Sequence, residues 1–185
     1  MLISGTGTNL QALIDAPDID VCCVVSSRDG AAGLERAARA GIPAIATADE
    51  DETAAFLADH GAELVVLAGY MRILSAAFVS RWSGRILNVH PALLPAFPGA
   101  HAIDDAVAHG VKITGVTVHL VDADHVSADT GPIVMQEALA VSYDDTAAEV
   151  TERLHRIEHR LLPEAVRLYG AGKIHVDGRR VRVSG

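Results

Sequence analysis

Through the first half of the chain, short apolar runs alternate with helical stretches that end in glycine, and no other feature narrows the possible folds as much. Residues 1–3 read as the tail of a strand. Residues 20–26 carry the unbroken run Val-Cys-Cys-Val-Val between polar neighbours. Apolar side chains at successive positions suit a strand covered on both faces. Residues 42–47 and 63–68 are two further strands. Helical stretches at 10–16, 31–40 and 51–60 separate them, and Gly41 and Gly61 follow the last two, where a helix gives way to left-handed backbone. The order βαβαβαβ predicts an open parallel sheet with helices on both sides.

The second half breaks the rhythm. Residues 85–90 read as a strand, 91–98 as a proline-rich loop and 101–109 as a helix stopped by Gly110. Residues 111–121 and 131–141 are long and β-branched, which predicts a paired antiparallel ribbon. A long amphipathic helix at 146–169 precedes two short strands within 173–183, around the turn dipeptide Asp177-Gly178. The expectation is an α/β, Rossmann-like fold with a mixed, mostly parallel sheet flanked by helices. A chain of 185 residues fits one domain, 1–185, with halves at about 1–84 and 85–185.

Charge and cysteine content remove several function classes. Lys and Arg number 15 against 24 Asp and Glu, a net charge of -9, which repels polyphosphate and argues against nucleic acid as a partner. The densest basic stretch, Gly178-Arg179-Arg180-Val181-Arg182, reads as solvated surface. No apolar run reaches the ~18 residues of a membrane span, and no signal peptide precedes the first glycine-rich turn. A soluble cytoplasmic protein is expected. Cys22 and Cys23 are adjacent, should point to opposite faces, and read as reduced thiols. The chain has no cysteine cluster and no Gly-x-Ser-x-Gly elbow, so neither a zinc site nor the commonest serine hydrolase has support.

Three segments carry candidate chemistry. Ser4-Gly5-Thr6-Gly7-Thr8-Asn9 is a glycine-rich turn from strand to helix, where free N–H groups and the helix dipole suit a phosphate. Leu10 stands where a dinucleotide fingerprint needs its third glycine, and no Walker lysine follows. In Asn88-Val89-His90-Pro91, residues i and i+2 share one face of a strand's C-terminal end. A carboxamide beside an imidazole can polarise a carbonyl and hold an oxyanion. The following loop is stiffened by Pro91, Pro95 and Pro98 and leaves through Gly99. Asp129, in Asp129-Thr130-Gly131-Pro132, could bring a carboxylate to His90 and take a proton from an attacking amine. Asp122 and Asp124 compete for that role.

These segments, with Leu67-Ala68-Gly69-Tyr70-Met71-Arg72-Ile73-Leu74 and Gly115-Val116-Thr117-Val118-His119, resemble the folate-dependent phosphoribosylglycinamide formyltransferase family, from Leu2 to about Val183. The resemblance implies a formyltransferase version of the Rossmann-like sheet, with phosphate bound in the N-terminal half and catalysis and folate in the C-terminal half. It implies that Asn88, His90 and Asp129 form the catalytic group. Gly7, Thr8 and Asn9 would hold a substrate phosphate, and Glu158 the ribose hydroxyls. Met71, Arg72 and Leu74 would border the folate pocket, backbone groups before Asp129 would meet the pterin, and His101 would support the site. The cosubstrate would be 10-formyltetrahydrofolate, the acceptor glycinamide ribonucleotide, and no metal would be needed. Relative to the family pattern, the loop 121–129 is longer, and 47–61 is shorter and lacks an arginine. A formyltetrahydrofolate hydrolase or a non-catalytic folate- or phosphate-binding protein are the alternative readings. Monomer and homodimer are both compatible with the sequence.

Overall fold

The two faces of one sheet account for the unbroken apolar runs. The computed structural model describes residues 1–121 and 129–184. Seven strands, β1 (Leu2–Ile3), β2 (Val24–Ser26), β3 (Ala44–Ala46), β4 (Val65–Ala68), β5 (Ile86–His90), β6 (Ile113–Leu120) and β7 (Ile133–Ala140), lie in the order β3-β2-β1-β4-β5-β6-β7. The first five run parallel, and β6 and β7 are antiparallel to their neighbours. Ile3, Val24, Val66, Leu87 and Val89 enter one core. Their neighbours Leu2, Val25, Val65, Leu67 and Ile86 enter the other. Each residue of a run therefore serves the opposite face from the one before it.

Helices cover both cores. The first contains residues of α1 (Thr8–Ile14), α2 (Ala32–Arg39), α5 (Ala102–His109) and α6 (Ala147–Gly170). The second contains Leu57 of α3 (Glu50–Asp59) and Phe78 and Val79 of α4 (Ala76–Arg81). Helix α6 begins with a capping box, in which the Thr146 side chain accepts from Glu149 N–H and the Glu149 carboxylate accepts from Thr146 N–H. A separate ribbon of β8 (Ile174–Asp177) and β9 (Arg180–Val183) closes the described chain.

Three expectations are corrected. Helix α4 was not foreseen. It has only six residues, too few for a periodic pattern, and is set by the Ser75 cap and by burial of Phe78, Val79 and Trp82. The strand expected over 20–26 is limited to its last three residues, because pairing with β1 begins at Leu2↔Val25. Cys22 and Cys23 therefore precede the strand rather than alternate along it. Both pack toward the same core with their sulfurs 3.9 Å apart, and both are free thiols.

Candidate active site

Strand order reverses between β1 and β4: the chain moves outward from β1 to β3 and returns to β4. Loops leaving parallel strands on either side of such a reversal diverge and open a crevice at the strands' C-terminal ends. The loop after β1 turns at Gly7, whose φ is 70° and which precedes α1 without any side-chain cap. The first-turn N–H groups thus have no partner within the helix. Only glycine fits there, since a Cβ would stand 2.7 Å from the Gly33 Cα. Arg36 brings positive charge to the same turn, its Nε donating to the Thr6 carbonyl at 2.8 Å and its Nη1 to Gln11 Oε1 at 3.2 Å.

The loop after β4 is tied to the first. Met71 N–H donates to Ser4 Oγ at 2.9 Å, and Ser4 Oγ also meets Ser27 Oγ at 2.6 Å. Met71 and Arg72 are exposed. The Leu74 side chain instead lies buried beside Phe78, Val79 and Trp82. It props the loop from below, so a ligand there would meet Leu74 through its backbone.

Asn88, His90 and Asp129 are drawn together at the end of β5. Asn88 Nδ2 donates to Asp129 Oδ1 at 3.1 Å, and Gly99 N–H donates to Asp129 Oδ2 at 2.8 Å. His90 Nδ1 lies 3.3 Å from Asp129 Oδ2, while His90 Nε2 donates to the Phe97 carbonyl at 2.8 Å. Both ring nitrogens of this buried histidine thus face oxygen atoms, one a backbone carbonyl and the other a carboxylate. Asp129 has φ of 63° and Phe97 of 49°, the two positive values outside glycine among the described residues. Strained backbone is thus concentrated where the carboxylate and the acceptor of His90 are presented.

A fourth member, His119, closes the segment 115–119 noted in the sequence, where it carries no assigned role. It sits on β6 directly across from Asn88 in the antiparallel register, almost fully buried. Its Nδ1 donates to the Leu120 carbonyl at 2.9 Å, which leaves Nε2 of the neutral ring to accept from Asn88 Nδ2 at 3.0 Å. The same Nε2 lies 3.5 Å from Asp129 Oδ1. Burial pushes the Asp129 pKa up. The neighbouring His119 ring, the Gly99 N–H and His90 outweigh it, and the net shift is downward. The donors expected to face a carbonyl are already engaged here: the Asn88 amide with Asp129 and His119, and His90 with Phe97 and Asp129.

The rigid loop has an identifiable anchor. Thr117 Oγ1 donates to Ala92 O at 2.7 Å and accepts from Leu94 N–H at 3.1 Å and from Gln136 Nε2 at 2.9 Å. Gln136 Nε2 also donates to Leu94 O at 2.9 Å. Strands β6 and β7 thereby hold the chain between His90 and Phe97.

A second polar centre joins α1 to α6. Asn9 Nδ2 donates to Glu158 Oε2 at 2.8 Å, both side chains being buried, and Asn9 Oδ1 has no partner among the described residues. The Asn9 amide is thus turned to Glu158. Burial raises the Glu158 pKa, opposed by the Asn9 bond and by His155. One helical turn apart on α6, His155 and His159 stack with ring centroids 6.0 Å apart, which corrects the expectation that the chain has no His-x-x-x-His pair on one helical face. His101 stands exposed at the start of α5 and takes no part in the Asp129 cluster. The expected pterin contacts, with Asp122 and Asp124, lie outside the described residues. Among the described residues, no three His, Cys, Asp or Glu side chains are grouped as metal ligands.

Known proteins share this arrangement of elements. Residues 1–166 match the family model described as formyl transferase. The phosphoribosylglycinamide formyltransferase of Mycobacterium tuberculosis is 44% identical over 97% of this chain and 87% of its own length. The trifunctional purine biosynthetic protein adenosine-3 of Chironomus tentans is 41% identical over 97% of this chain, which spans only 14% of that longer protein. The crystal structure of glycinamide ribonucleotide transformylase 1 from Symbiobacterium toebii superposes with a TM-score of 0.94 at 43% identity, covering 100% of this chain and 92% of that one.

Proposed function

The chain belongs to the formyl transferase family, and on that premise we propose that it moves the formyl group of 10-formyltetrahydrofolate to the amine of glycinamide ribonucleotide. The products are formylglycinamide ribonucleotide and tetrahydrofolate. One observation carries the reading: the buried Asp129 carboxylate, held ionised beside Asn88 and His90 where β5 ends.

The substrate phosphate docks at the turn of Gly7, Thr8 and Asn9, mainly through backbone N–H groups and beside Arg36, because the Asn9 amide is turned to Glu158. Glu158 accepts from the ribose hydroxyls. Met71, Arg72 and the backbone of Leu74 border the folate, and His101 lends support at the exit of the proline loop. The neutral amine attacks the formyl carbon. Oxyanion charge is met by an Asn88 N–H released from His119 or Asp129 and by the His90 Nε2–H released from Phe97, both side chains lying at the end of β5. Asp129 accepts the proton that the amine loses, directly or through water, and the bond from the formyl carbon to N10 breaks as that nitrogen regains a proton.

The test is formyl transfer by the purified protein, followed through the absorbance change of the folate. His90→Ala and Asp129→Asn should each lower turnover by ~10²-fold or more. Near-normal turnover in either variant removes that residue from the mechanism. Deformylation without the amine would identify a hydrolase, and tight binding of both ligands without reaction would identify a binding protein.

A further inference from the structure

The ribbon that follows α6 reaches back to the catalytic loop. Its base is fixed to α6, where Lys173 N–H donates to Leu168 O at 2.9 Å and Ser184 N–H to Lys173 O at 3.0 Å. Ile174 and Val181 pack against the core beneath α6 and the sheet. The turn between Asp177 and Arg180 is thereby carried to the beginning of β7, where Arg179 Nη1 donates to the Thr130 carbonyl at 2.9 Å. Thr130 follows Asp129 directly. The ribbon lies beyond the residues 1–166 that match the family model, and its arginines had been read as solvated surface.

Asp129 needs such support. Its left-handed backbone, at φ of 63°, is less costly for Asp than for most residues but is still held more firmly where the surroundings restrain it. One constraint stands two residues on. Gly131 approaches Leu120 so closely that a Cβ would fall 1.7 Å from the Leu120 carbonyl oxygen, and Leu120 N–H donates to Pro132 O at 2.9 Å. Those contacts pin the chain after Thr130. The guanidinium fixes the orientation of the peptide group that joins Thr130 to Gly131, a charge-assisted bond one link beyond the peptide that Asp129 itself forms with Thr130.

We propose that Arg179 is a positioning residue for Asp129, and that the β8–β9 ribbon acts as a strut that holds the catalytic carboxylate within reach of His90 and Asn88. The proposal rests on the catalytic role assigned to Asp129 above. Among the described residues Arg179 bonds neither to the phosphate turn nor to the loop of Met71 and Arg72, so its loss should act mainly on the chemical step. Small displacements of a catalytic group are costly: a shift of about 1 Å can lower a rate ~10²-fold. A strut missing one of several restraints should do less.

The test compares full-length Arg179→Ala, Arg179→Lys, Arg180→Ala and Asp129→Asn with the wild type, reading kcat, KM and the pH dependence of kcat. Arg179→Ala should lower kcat about tenfold with both KM values within about twofold. The acid limb of its kcat profile should move to higher pH, because an Asp129 carboxylate that wanders receives less from Gly99 N–H and Asn88 and holds its proton more tightly. Arg179→Lys keeps a cationic donor and should recover most of the loss, which a general defect in folding would not allow. Arg180→Ala, on the same turn, should behave as wild type. Wild-type kcat and an unmoved acid limb in Arg179→Ala, with Asp129→Asn inactive, would overturn the strut and leave the catalytic reading intact. An active Asp129→Asn would overturn the catalytic reading and the strut with it.

Discussion

Asp129 keeps a lowered pKa in a half-buried place because N–H donors and the two neighbouring imidazoles outweigh what burial removes. Its folded pKa lies below the ordinary 3.8, so its contribution to stability is present above that value and is lost as pH falls through the lower folded value. Asparagine tolerates left-handed backbone well, so Asp129→Asn tests the charge with little added strain. The variant should unfold about 1–3 kcal/mol more easily than wild type at pH 7. The gap between their urea midpoints should narrow below pH ~3.8; a gap unchanged at pH 3 would mean that the cluster does not favour the ionised carboxylate. Glu158 runs the other way. Its pKa is raised by burial above the ordinary 4.5, so its contribution is complete below that value and is lost as pH rises through the folded pKa. At neutral pH the ionised form is a burden. Glu158→Gln, which still accepts from Asn9, should raise Tm at pH 7 by roughly 2–4 °C and leave it unchanged at pH 4. The same variant should raise the KM for glycinamide ribonucleotide, the pattern of a site that gives up stability for binding. A lower Tm at pH 7 would show that the Glu158 charge stabilises the fold.

Strands β6 and β7 do more than widen the sheet, since Thr117 and Gln136 hold the loop that presents His90 and Phe97. Thr117→Val keeps the shape and leaves Ala92 O and Leu94 N–H without that hydroxyl in a buried place. The cost should be about 1–3 kcal/mol in denaturant unfolding, with kcat falling more than either KM because the phosphate turn is untouched. Equal stability to wild type would show that Gln136 suffices. Much of this scale could be read in the chain. Unbroken apolar runs announced strands covered on both faces, and the period of two placed Asn88 and His90 on one face before any contact was known. What escaped depends on distance along the chain. His119 joins Asn88 through a pairing register 31 residues apart, and Arg179 meets Thr130 across 49. Local patterns carry no trace of either. The engagement of His90 by Phe97 was also hidden, because it follows from a carbonyl aimed by backbone at φ of 49°, which proline content alone does not predict.

At the scale of the molecule the sign of charge is a problem for the proposed reaction. The chain carries a net -9, and a phosphate ester and a folate carboxylate are both anions. Local charge opposes the global field: Arg36 is bonded to the Thr6 carbonyl beside the phosphate turn, and Arg72 is exposed on the neighbouring loop. Salt separates the two because they act over different distances. At 0.01 M ionic strength the screening length is about 30 Å, so an approaching anion feels the whole molecule; at 0.15 M it is about 8 Å and only nearby charges count. Adding salt from the lowest concentration should first remove the long-range repulsion and raise kcat/KM for glycinamide ribonucleotide. Further salt should screen the arginines and lower it again. A maximum between those regimes is therefore expected when kcat/KM is measured against sodium chloride at fixed pH. Arg36→Gln should lower the whole curve and flatten its descending side, with the rising side kept. A monotonic fall from the lowest salt would instead mean that the field at the mouth of the crevice is already attractive and that the remaining acidic surface lies too far away to matter.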